Sequence, residues 1–325
     1  MRNSEISQPN KDLILAYRDA CLIKNVCGKV RLLRVQGCLL LYARILKKDF
    51  DQCTKADIEQ LVAHLVSAQP AYSPETLSTY KAMLRSFMTW VVQPDQFPTK
   101  TPPPIVSWIS THIRMRDRKR IERKDLLTPE DIEKLLGVCH NTRDKALIAI
   151  LWETGARIAE IGNLQIQHVT KREHGYTLDL TGKTGQRSPL IISSAPYLST
   201  WLNSHPFRDQ PEAPLWVHYQ YKKTPEQLKY DTIRHVLCRL FERTGITKPF
   251  NPHIFRHSRA TQILSQGIMS EQSCRLYMGW SKNSEMLENY CHLINSDCDA
   301  QILRENNLVP QQQIPRPRIF LDTEL

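Results

Sequence analysis

The sequence predicts a mainly α-helical protein with a small antiparallel sheet (α+β), arranged in two domains. Over positions 11–92, apolar residues recur at helical spacing, which is typical of a small helical bundle. Prolines crowd positions 94–104, where they oppose regular structure and mark a boundary. Between 165 and 192, apolar and polar residues alternate around a glycine-rich turn, which predicts short strands. A chain of 325 residues suits about two domains.

The N-terminal domain, predicted over residues 1–112, should contain about four helices. Thr54 precedes a helical pattern with Asp57 in its first turn, as an N-cap residue does. Ser73 and Pro74 begin the next helix in the same way, because proline favours the first helical position. One face of this helix carries an aromatic and aliphatic stripe, which we interpret as core rather than as a binding surface.

A dense basic segment, residues 114–124, lies in the predicted linker between the domains, residues 113–126. It holds seven Lys and Arg side chains against two acidic ones. In isolation such a run is compatible with a solvated linker, but between two domains of a basic protein it favours a path along a phosphate backbone. The residues predicted to contact DNA are in this segment and on the preceding helix: Lys81, Arg85, Arg114, Arg116, Arg118, Lys119 and Arg120.

Composition limits the class of partner. Lys and Arg number 44 against 33 Asp and Glu, a net charge of +11, which favours a polyanion such as nucleic acid or an acidic membrane surface. A basic protein without such a partner is also compatible with the charge.

The sequence has no apolar run near the ~20 residues that span a bilayer and no signal-peptide pattern at its start, so we expect a cytoplasmic protein without a membrane partner. The nine cysteines include no CxxC pair, which predicts reduced thiols, most of them core residues, rather than a zinc site.

The second domain is predicted over residues 127–305, followed by an extended tail at 306–325. Thr128 is its first expected N-cap, with Pro129 at the first helical position. Helices, the strand-rich interval and further helices then follow in order. The tail is rich in glutamine and proline, which argues against a packed core there.

Two arginines in this domain have contexts suited to binding a phosphate. Attack on a phosphodiester builds negative charge on the phosphate oxygens, which arginine can bind through paired donors at any working pH. Arg157 follows a glycine at a predicted helix start, and Glu160 lies three residues on to orient it. Arg256 lies three residues after His253, so both can share one helical face. Because an Arg-x-x-Glu pair alone is usually a surface ion pair, this assignment depends on the whole set.

Three further residues would supply proton transfer and a nucleophile. Lys183 lies between glycines at a predicted hairpin tip, where a long amine can reach a cleft and protonate a leaving 5′-oxygen. His253 is a candidate for proton transfer, with His257 close by. Tyr290 lies on a predicted short helix among polar neighbours; its ordinary pKa of about 10 requires nearby cations to stabilise the phenolate. Tyr277, flanked by apolar residues, is predicted to be core.

These motifs resemble those of the tyrosine recombinase (phage-integrase) family. The family pattern Thr-Gly-x-Arg-x-x-Glu-[Ile/Leu]-x-x-Leu matches residues 154–164. The pattern His-x-[Leu/Phe]-Arg-His-[Ser/Thr]-x-Ala-Thr matches residues 253–261. The hairpin pattern Gly-Lys-x-x-[Lys/Gln]-x-Arg-x-x-Pro-[Leu/Ile] is similar to residues 182–190, with one residue fewer between the lysine and the proline. The resemblance covers most of the chain.

One departure from the family pattern concerns Gly279 and Trp280, where many members have Gly-His. A tryptophan N–H can still donate a hydrogen bond to a phosphate, but it cannot exchange protons. Gly-Trp-Ser, followed by the sequence around Tyr290, resembles archaeal and archaeal-virus integrases. We therefore expect the chain to fall in that subgroup.

The resemblance implies a helical core-binding domain followed by a mixed catalytic domain. It implies a site-specific recombinase or integrase that cleaves and rejoins double-stranded DNA through a 3′-phosphotyrosine and exchanges strands, as a homo-tetramer on two sites, without a metal, ATP or another cofactor. The implied catalytic residues are Arg157, Lys183, His253, Arg256, Trp280 and the nucleophile Tyr290, supported by Glu160 and His257. Two alternatives stay open: a type IB topoisomerase-like relaxase, and a non-catalytic DNA-binding protein of the same fold.

Overall fold

The computed structural model describes residues 6–99, 101–114, 117, 122–182, 185–218 and 224–281. It divides into two compact units, Met1–Lys119 and Arg120–Leu325. The division falls inside the basic segment that the sequence predicts to be a linker. The finer domain bounds expected from the sequence stay predictions.

The N-terminal unit is built from helices, with no strand among its described residues. The helices are α1 (Gln8–Ile23), α2 (Lys29–Leu46), α3 (Lys55–Val66), α4 (Pro74–Val92) and the short α5 (Pro104–Ser107). The four long helices agree with the sequence. The single turn of α5 was not predicted, because its prolines were interpreted only as breakers; Pro104 instead occupies the first position of a helix, where proline is well accommodated.

Two of the predicted helix starts in this unit have the expected caps. The Thr54 hydroxyl accepts the backbone N–H of Asp57 at 3.4 Å, while the Asp57 carboxylate accepts the N–H of Thr54 at 2.7 Å. The Ser73 hydroxyl accepts the N–H of Thr76 at 3.2 Å. These bonds satisfy backbone donors that have no partner inside the helix.

The apolar stripe of α4 lies in the core of this unit, as predicted. Leu84 and Phe87 are both fully buried. The Phe87 ring packs edge-to-face on Tyr17 and Phe50, at centroid distances of 5.2 and 4.8 Å, a geometry that aromatic pairs favour. The buried middle of this face therefore stabilises the bundle.

The C-terminal unit combines helices with two small antiparallel sheets. The helices are α6 (Pro129–Gly137), α7 (Thr142–Thr154), α8 (Ile158–Gly162), α9 (Ala195–Ser204), α10 (Tyr230–Thr244), α11 (Ile254–Ser265) and α12 (Glu271–Met278). The strands are β1 (Val169–Arg172), β2 (Gly175–Leu178), β3 (Leu180–Gly182), β4 (Gly185–Arg187) and β5 (Leu190–Ile191). β1, β2 and β5 form one sheet in that order, and β3 pairs with β4. The predicted α+β class is confirmed.

Helix α7 is the central helix of this unit and positions the candidate site. Residues 146–151 are buried without interruption, so the helix is packed on all sides. The helix ends at Thr154 and is followed by Gly155, which has φ +55°. A Cβ there would lie 3.0 Å from Met278 and 3.1 Å from Arg259, so both the backbone conformation and the space favour glycine. The turn leads directly to Arg157 at the start of α8.

The described part of the chain contains no helix long and apolar enough to cross a membrane. Seven of its cysteines are free thiols, and five of these are buried. Buried thiols of this kind pack as small apolar side chains, which agrees with the interpretation of the cysteines as core residues.

Candidate active site

Arg157 is oriented by Glu160, as the sequence predicts. Arg157 is the N-cap residue of α8, and its Nη1 donates to Glu160 Oε1 at 2.6 Å. Its backbone N–H donates to the other carboxylate oxygen, Oε2, at 3.0 Å. The Arg157 side chain is 28% exposed, whereas that of Glu160 is 4% exposed. The ion pair is therefore anchored on its buried side and presents arginine toward solvent.

Glu160 also binds a second arginine, Arg187 at the end of β4. Arg187 Nη2 donates to Glu160 Oε2 at 2.8 Å, and the Arg187 side chain is 11% exposed. Burial raises the pKa of the Glu160 carboxyl, but the Arg187 charge and the hydrogen bonds from Arg187 and Arg157 outweigh it and hold the pKa below its ordinary value. Glu160 is therefore ionised at neutral pH and accepts hydrogen bonds from both guanidinium groups.

Arg187 was not among the site residues predicted from the sequence. The signal was present, because Arg187 is the arginine of the hairpin pattern matched at residues 182–190. Its partner Glu160 lies 27 residues away, and no local spacing connects the two.

Arg256 is almost completely buried, at 3% exposure. Nη1 donates to the carbonyl oxygen of Gly155 at 3.1 Å, and Nη2 donates to that of Met278 at 2.6 Å. Gly155 follows the last turn of α7, and Met278 is the last residue of α12. The C-terminal ends of helices favour a positive charge, so two helices hold this guanidinium group beside the start of α8.

Trp280 packs against Arg256. Its ring centroid lies 5.5 Å from Arg256 Cζ, within the range of a cation–π contact, and the residue is 7% exposed. Gly279, with φ +62°, turns the chain after α12, and the backbone N–H of Trp280 donates to the carbonyl of Arg275 at 2.9 Å. The predicted Gly-Trp pair therefore lies at the arginine site.

His253 and His257 lie beside these arginines. His253 immediately precedes α11 instead of lying within it; its backbone carbonyl accepts the N–H of His257 at 2.9 Å. The residue as a whole is exposed, but partial desolvation of its imidazole lowers the pKa of His253, and the charges of Arg256 and Arg157 lower it further. Burial, His253 and Arg256 lower the pKa of His257 to about 4. Both imidazoles are neutral at pH 7, and a neutral His253 can accept a proton.

The half-buried His257 should make the C-terminal unit sensitive to acid. Its folded-state pKa of about 4 lies below the ~6.5 of an unfolded chain, so the unfolded state binds more protons between these values. Stability is complete above about pH 6.5 and falls as pH drops toward 4. We expect the wild-type free energy of unfolding to fall from pH 7 to 4.5 by about 2 kcal/mol more than that of His257→Gln, measured by urea denaturation.

The matched control for this measurement is His174→Gln, because the His174 side chain is 76% exposed. That variant should keep the wild-type pH dependence. Parallel pH curves for the wild type and His257→Gln would contradict the assignment of the acid sensitivity to His257.

Several predicted site residues lie outside the described residues. Gly182 and Gly185 form the last pair of the β3–β4 ladder and flank Lys183 in the sequence. The residues outside the description are Lys183 and Tyr290 of the predicted catalytic set, and Arg116, Arg118, Lys119 and Arg120 of the predicted DNA-contacting set.

The remaining predicted DNA contacts belong to the N-terminal unit. Lys81 and Arg114 line one open cavity of about 560 Å³. Arg114 Nε lies 2.7 Å from Asp117 Oδ2 in an exposed ion pair, which is weakly stabilising in water. Arg85 donates from Nη1 to the carbonyl of Ile109 at 3.3 Å, so part of its donor capacity is used within the fold.

The described residues thus bring two arginines, a neutral histidine and a tryptophan to one place. Guanidinium groups held in a fixed geometry stabilise negative charge that develops on phosphate oxygens. No cluster of three or more His, Cys, Asp or Glu that could hold a metal occurs in the part of the chain described. The arrangement is suited to anionic phosphate chemistry.

We compared the sequence with models of known protein families and with known proteins, and one family model matches it. The model of the phage integrase family matches residues 125–296, which is more than half of the chain and includes all six predicted catalytic positions. The chain is 23% identical over 264 residues to tyrosine recombinase XerA of the archaeon Saccharolobus solfataricus, covering 80% of this chain and 81% of that protein.

The solved structures that share this fold include a recombinase and an integrase. One is the XerH site-specific recombinase bound to a palindromic difH substrate, with a TM-score of 0.64 and 17% identity, covering 94% of this chain and 92% of that one. The other is a lambda integrase tetramer bound to a Holliday junction, with a TM-score of 0.60 and 12% identity, covering 85% of this chain and 76% of that one.

Proposed function

The chain belongs to the phage integrase family, and we propose that it is a site-specific tyrosine recombinase that cleaves and rejoins double-stranded DNA through a covalent 3′-phosphotyrosine. The archaeal relative agrees with the subgroup expected from the sequence. Because its substrate is genomic or mobile-element DNA, the protein would act in the cytoplasm on the nucleoid.

The observation that carries this proposal is the convergence of Arg157, Arg256, His253 and Trp280. Arg157 is more exposed than Arg256 and is fixed by Glu160. Arg256 is held by two helix ends. In the proposed mechanism both guanidinium groups stabilise the equatorial oxygens of the pentacoordinate phosphate, and the indole N–H of Trp280 binds one of those oxygens.

Tyr290 and Lys183 supply the covalent step. The Tyr290 oxygen attacks the scissile phosphorus, a P–O bond to tyrosine forms, and the bond from phosphorus to the 5′-oxygen breaks. Lys183 gives a proton to the leaving 5′-oxygen, and His253 takes part in the transfer of the tyrosine proton. The phosphodiester energy is kept in the phosphotyrosine link, so neither ATP nor a metal is required.

Strand exchange follows when the 5′-hydroxyl of a partner duplex attacks the phosphotyrosine and releases Tyr290. Two sites and four active centres are needed for a full exchange, so we assign a homo-tetramer on two recombination sites. The likeness of this fold to a lambda integrase in a tetramer on a Holliday junction supports that assembly. The basic residues 114–124 would track the DNA backbone.

The test is covalent capture of DNA in the presence of EDTA. The substrates are labelled duplex fragments of the DNA that flanks the protein's gene, nicked at random. When the protein cleaves near a nick, the short product diffuses away, so the strand cannot be rejoined and the adduct is trapped. We expect protein–DNA adducts on a denaturing gel at the same yield with and without EDTA, because the proposed chemistry uses side chains alone. Sequencing the trapped ends maps the site. Cleavage that EDTA removes and magnesium restores would contradict the proposal and indicate a metal nuclease.

The two alternatives give different results in the same assay. A type IB topoisomerase-like relaxase would form the adduct and relax supercoils but would not join strands of two different duplexes. A non-catalytic DNA-binding protein would shift the fragments on a native gel without any adduct. Adduct formation together with joining to a second labelled duplex supports the recombinase.

A further inference from the structure

We infer that Arg187 is a positioning residue of this site, which joins the carboxylate that orients Arg157 to the turn that carries Trp280. The inference rests on the proposed function and names one more residue on which the cleavage step depends. Arg187 belongs to the β3–β4 hairpin, whereas the residues that it contacts belong to α8 and to the end of α12.

The first contact fixes the carboxylate of Glu160. Oε1 accepts from Arg157 Nη1, and Oε2 accepts both from the Arg157 backbone N–H and from Arg187 Nη2. With both oxygens engaged, the carboxylate cannot rotate without losing a charge-assisted bond. A Cβ on Gly182 would overlap this carboxylate, so the hairpin backbone also closes against it. Arg187 therefore controls the group that sets the direction of Arg157.

The second contact reaches the other arginine. Arg187 Nη1 donates to the carbonyl of Tyr277, and the carbonyl of the next residue, Met278, accepts from Arg256. A Cβ on Gly279 would lie 3.0 Å from both Cδ and Nε of Arg187, so the turn before Trp280 packs directly on the Arg187 side chain. One guanidinium group thus links the supports of Arg157 and of Arg256.

The contacts of Arg187 are those of a support. Its two terminal nitrogens donate to Glu160, which orients Arg157, and to the Tyr277 carbonyl beside the turn that carries Trp280, and its side chain is 11% exposed. A lysine at this position keeps the charge but has a single nitrogen without the planar fork of arginine. Lysine would therefore preserve the ionised state of Glu160 but not both contacts.

The experiment compares Arg187→Lys and Arg187→Gln with the wild type in single-turnover cleavage of the mapped site over a range of pH. We expect cleavage to fall about 10-fold in the lysine variant and about 100-fold in the glutamine variant, as for partners that orient a functional group, with DNA affinity within about 2-fold of the wild type. Loss of the Arg187 charge raises the pKa of Glu160, so the acid limb of the glutamine profile should move to higher pH. A purely structural role would lower the folded fraction without moving that limb.

Two controls make the result specific. Arg208→Gln removes an arginine whose side chain is 63% exposed, in a loose surface pair with Asp209, and should leave cleavage unchanged. Combining Arg187→Gln with Glu160→Gln should cost less than the product of the two single losses, because the two residues share one ion pair, whereas the Tyr277 contact is lost only with Arg187. Wild-type cleavage rates in both Arg187 variants, or a loss with an unmoved acid limb, would overturn the inference alone. A wild-type protein that forms no adduct would contradict the proposed function itself.

Discussion

Replacing Tyr290 by phenylalanine is expected to abolish the covalent attachment of DNA, with cleavage reduced by roughly 10⁴-fold or more, as when a nucleophile is removed. The change deletes one oxygen, and no other side chain in the proposed mechanism can form the ester to phosphorus. DNA affinity should stay within about 2-fold of the wild type, because binding depends on cationic contacts with the phosphate backbone. Adducts are measured on denaturing gels with the nicked fragments, and affinity is measured by native gel shift.

Tyr277→Phe is the matched control, since Tyr277 precedes Tyr290 in the same region of the sequence. The Tyr277 hydroxyl donates to the carbonyl of Glu153 at 2.9 Å, a bond within the fold. Its loss should cost about 1 kcal/mol of stability and leave adduct formation intact. Persistent phosphotyrosyl adducts in Tyr290→Phe would remove Tyr290 from the mechanism.

Replacing Arg256 by lysine should lower both cleavage and stability. Lysine cannot donate to the carbonyls of Gly155 and Met278 and also offer a planar fork to phosphate. We expect cleavage to fall about 10²- to 10³-fold, as when one preorganised donor group is removed. The free energy of unfolding should fall by about 2 kcal/mol, because buried carbonyls lose their partner. Single-turnover cleavage and urea denaturation are the two measurements.

Arg157→Lys provides the contrast. Arg157 is the more exposed of the two arginines, and Glu160 keeps its ion pair with Arg187 when Arg157 changes. Cleavage should fall over the same range, whereas stability should change by less than about 1 kcal/mol. If Arg256→Lys cleaved at the wild-type rate under conditions where it is folded, Arg256 would not stabilise the transition state.

Local signals accounted for much of the fold. The caps at Thr54, Ser73 and Thr128 begin helices where the sequence predicted them, because a cap bond joins residues only three positions apart. The alternating interval after α8 became strands for a similarly local reason. The short helix α5 was missed, because the sequence alone does not separate a proline that ends a helix from one that begins it.

The candidate site was predictable in its chemistry and less so in its architecture. The residue types and motif spacing, together with the family resemblance for Trp280, selected Arg157, Glu160, His253, Arg256 and Trp280, which the structure brings together. They did not select Arg187, since arginines on strands are common and only a partner in three dimensions distinguishes this one. For Arg85, helical spacing suggested a DNA contact, which stays a prediction; the bond from its Nη1 to the Ile109 carbonyl could not be read from that spacing.

Helix starts, strand alternation and the phosphate-binding residue types could all be read from the amino-acid order, because each depends on neighbours within a few positions. The contacts that assemble the site could not. Glu160 and Arg187 are 27 residues apart, Arg187 and Tyr277 are 90 apart, and Arg256 and Gly155 are 101 apart. Such pairs meet only when the packing of α7, α11 and α12 with the hairpin sets their distance, and burial then gives each ion pair and hydrogen bond its strength.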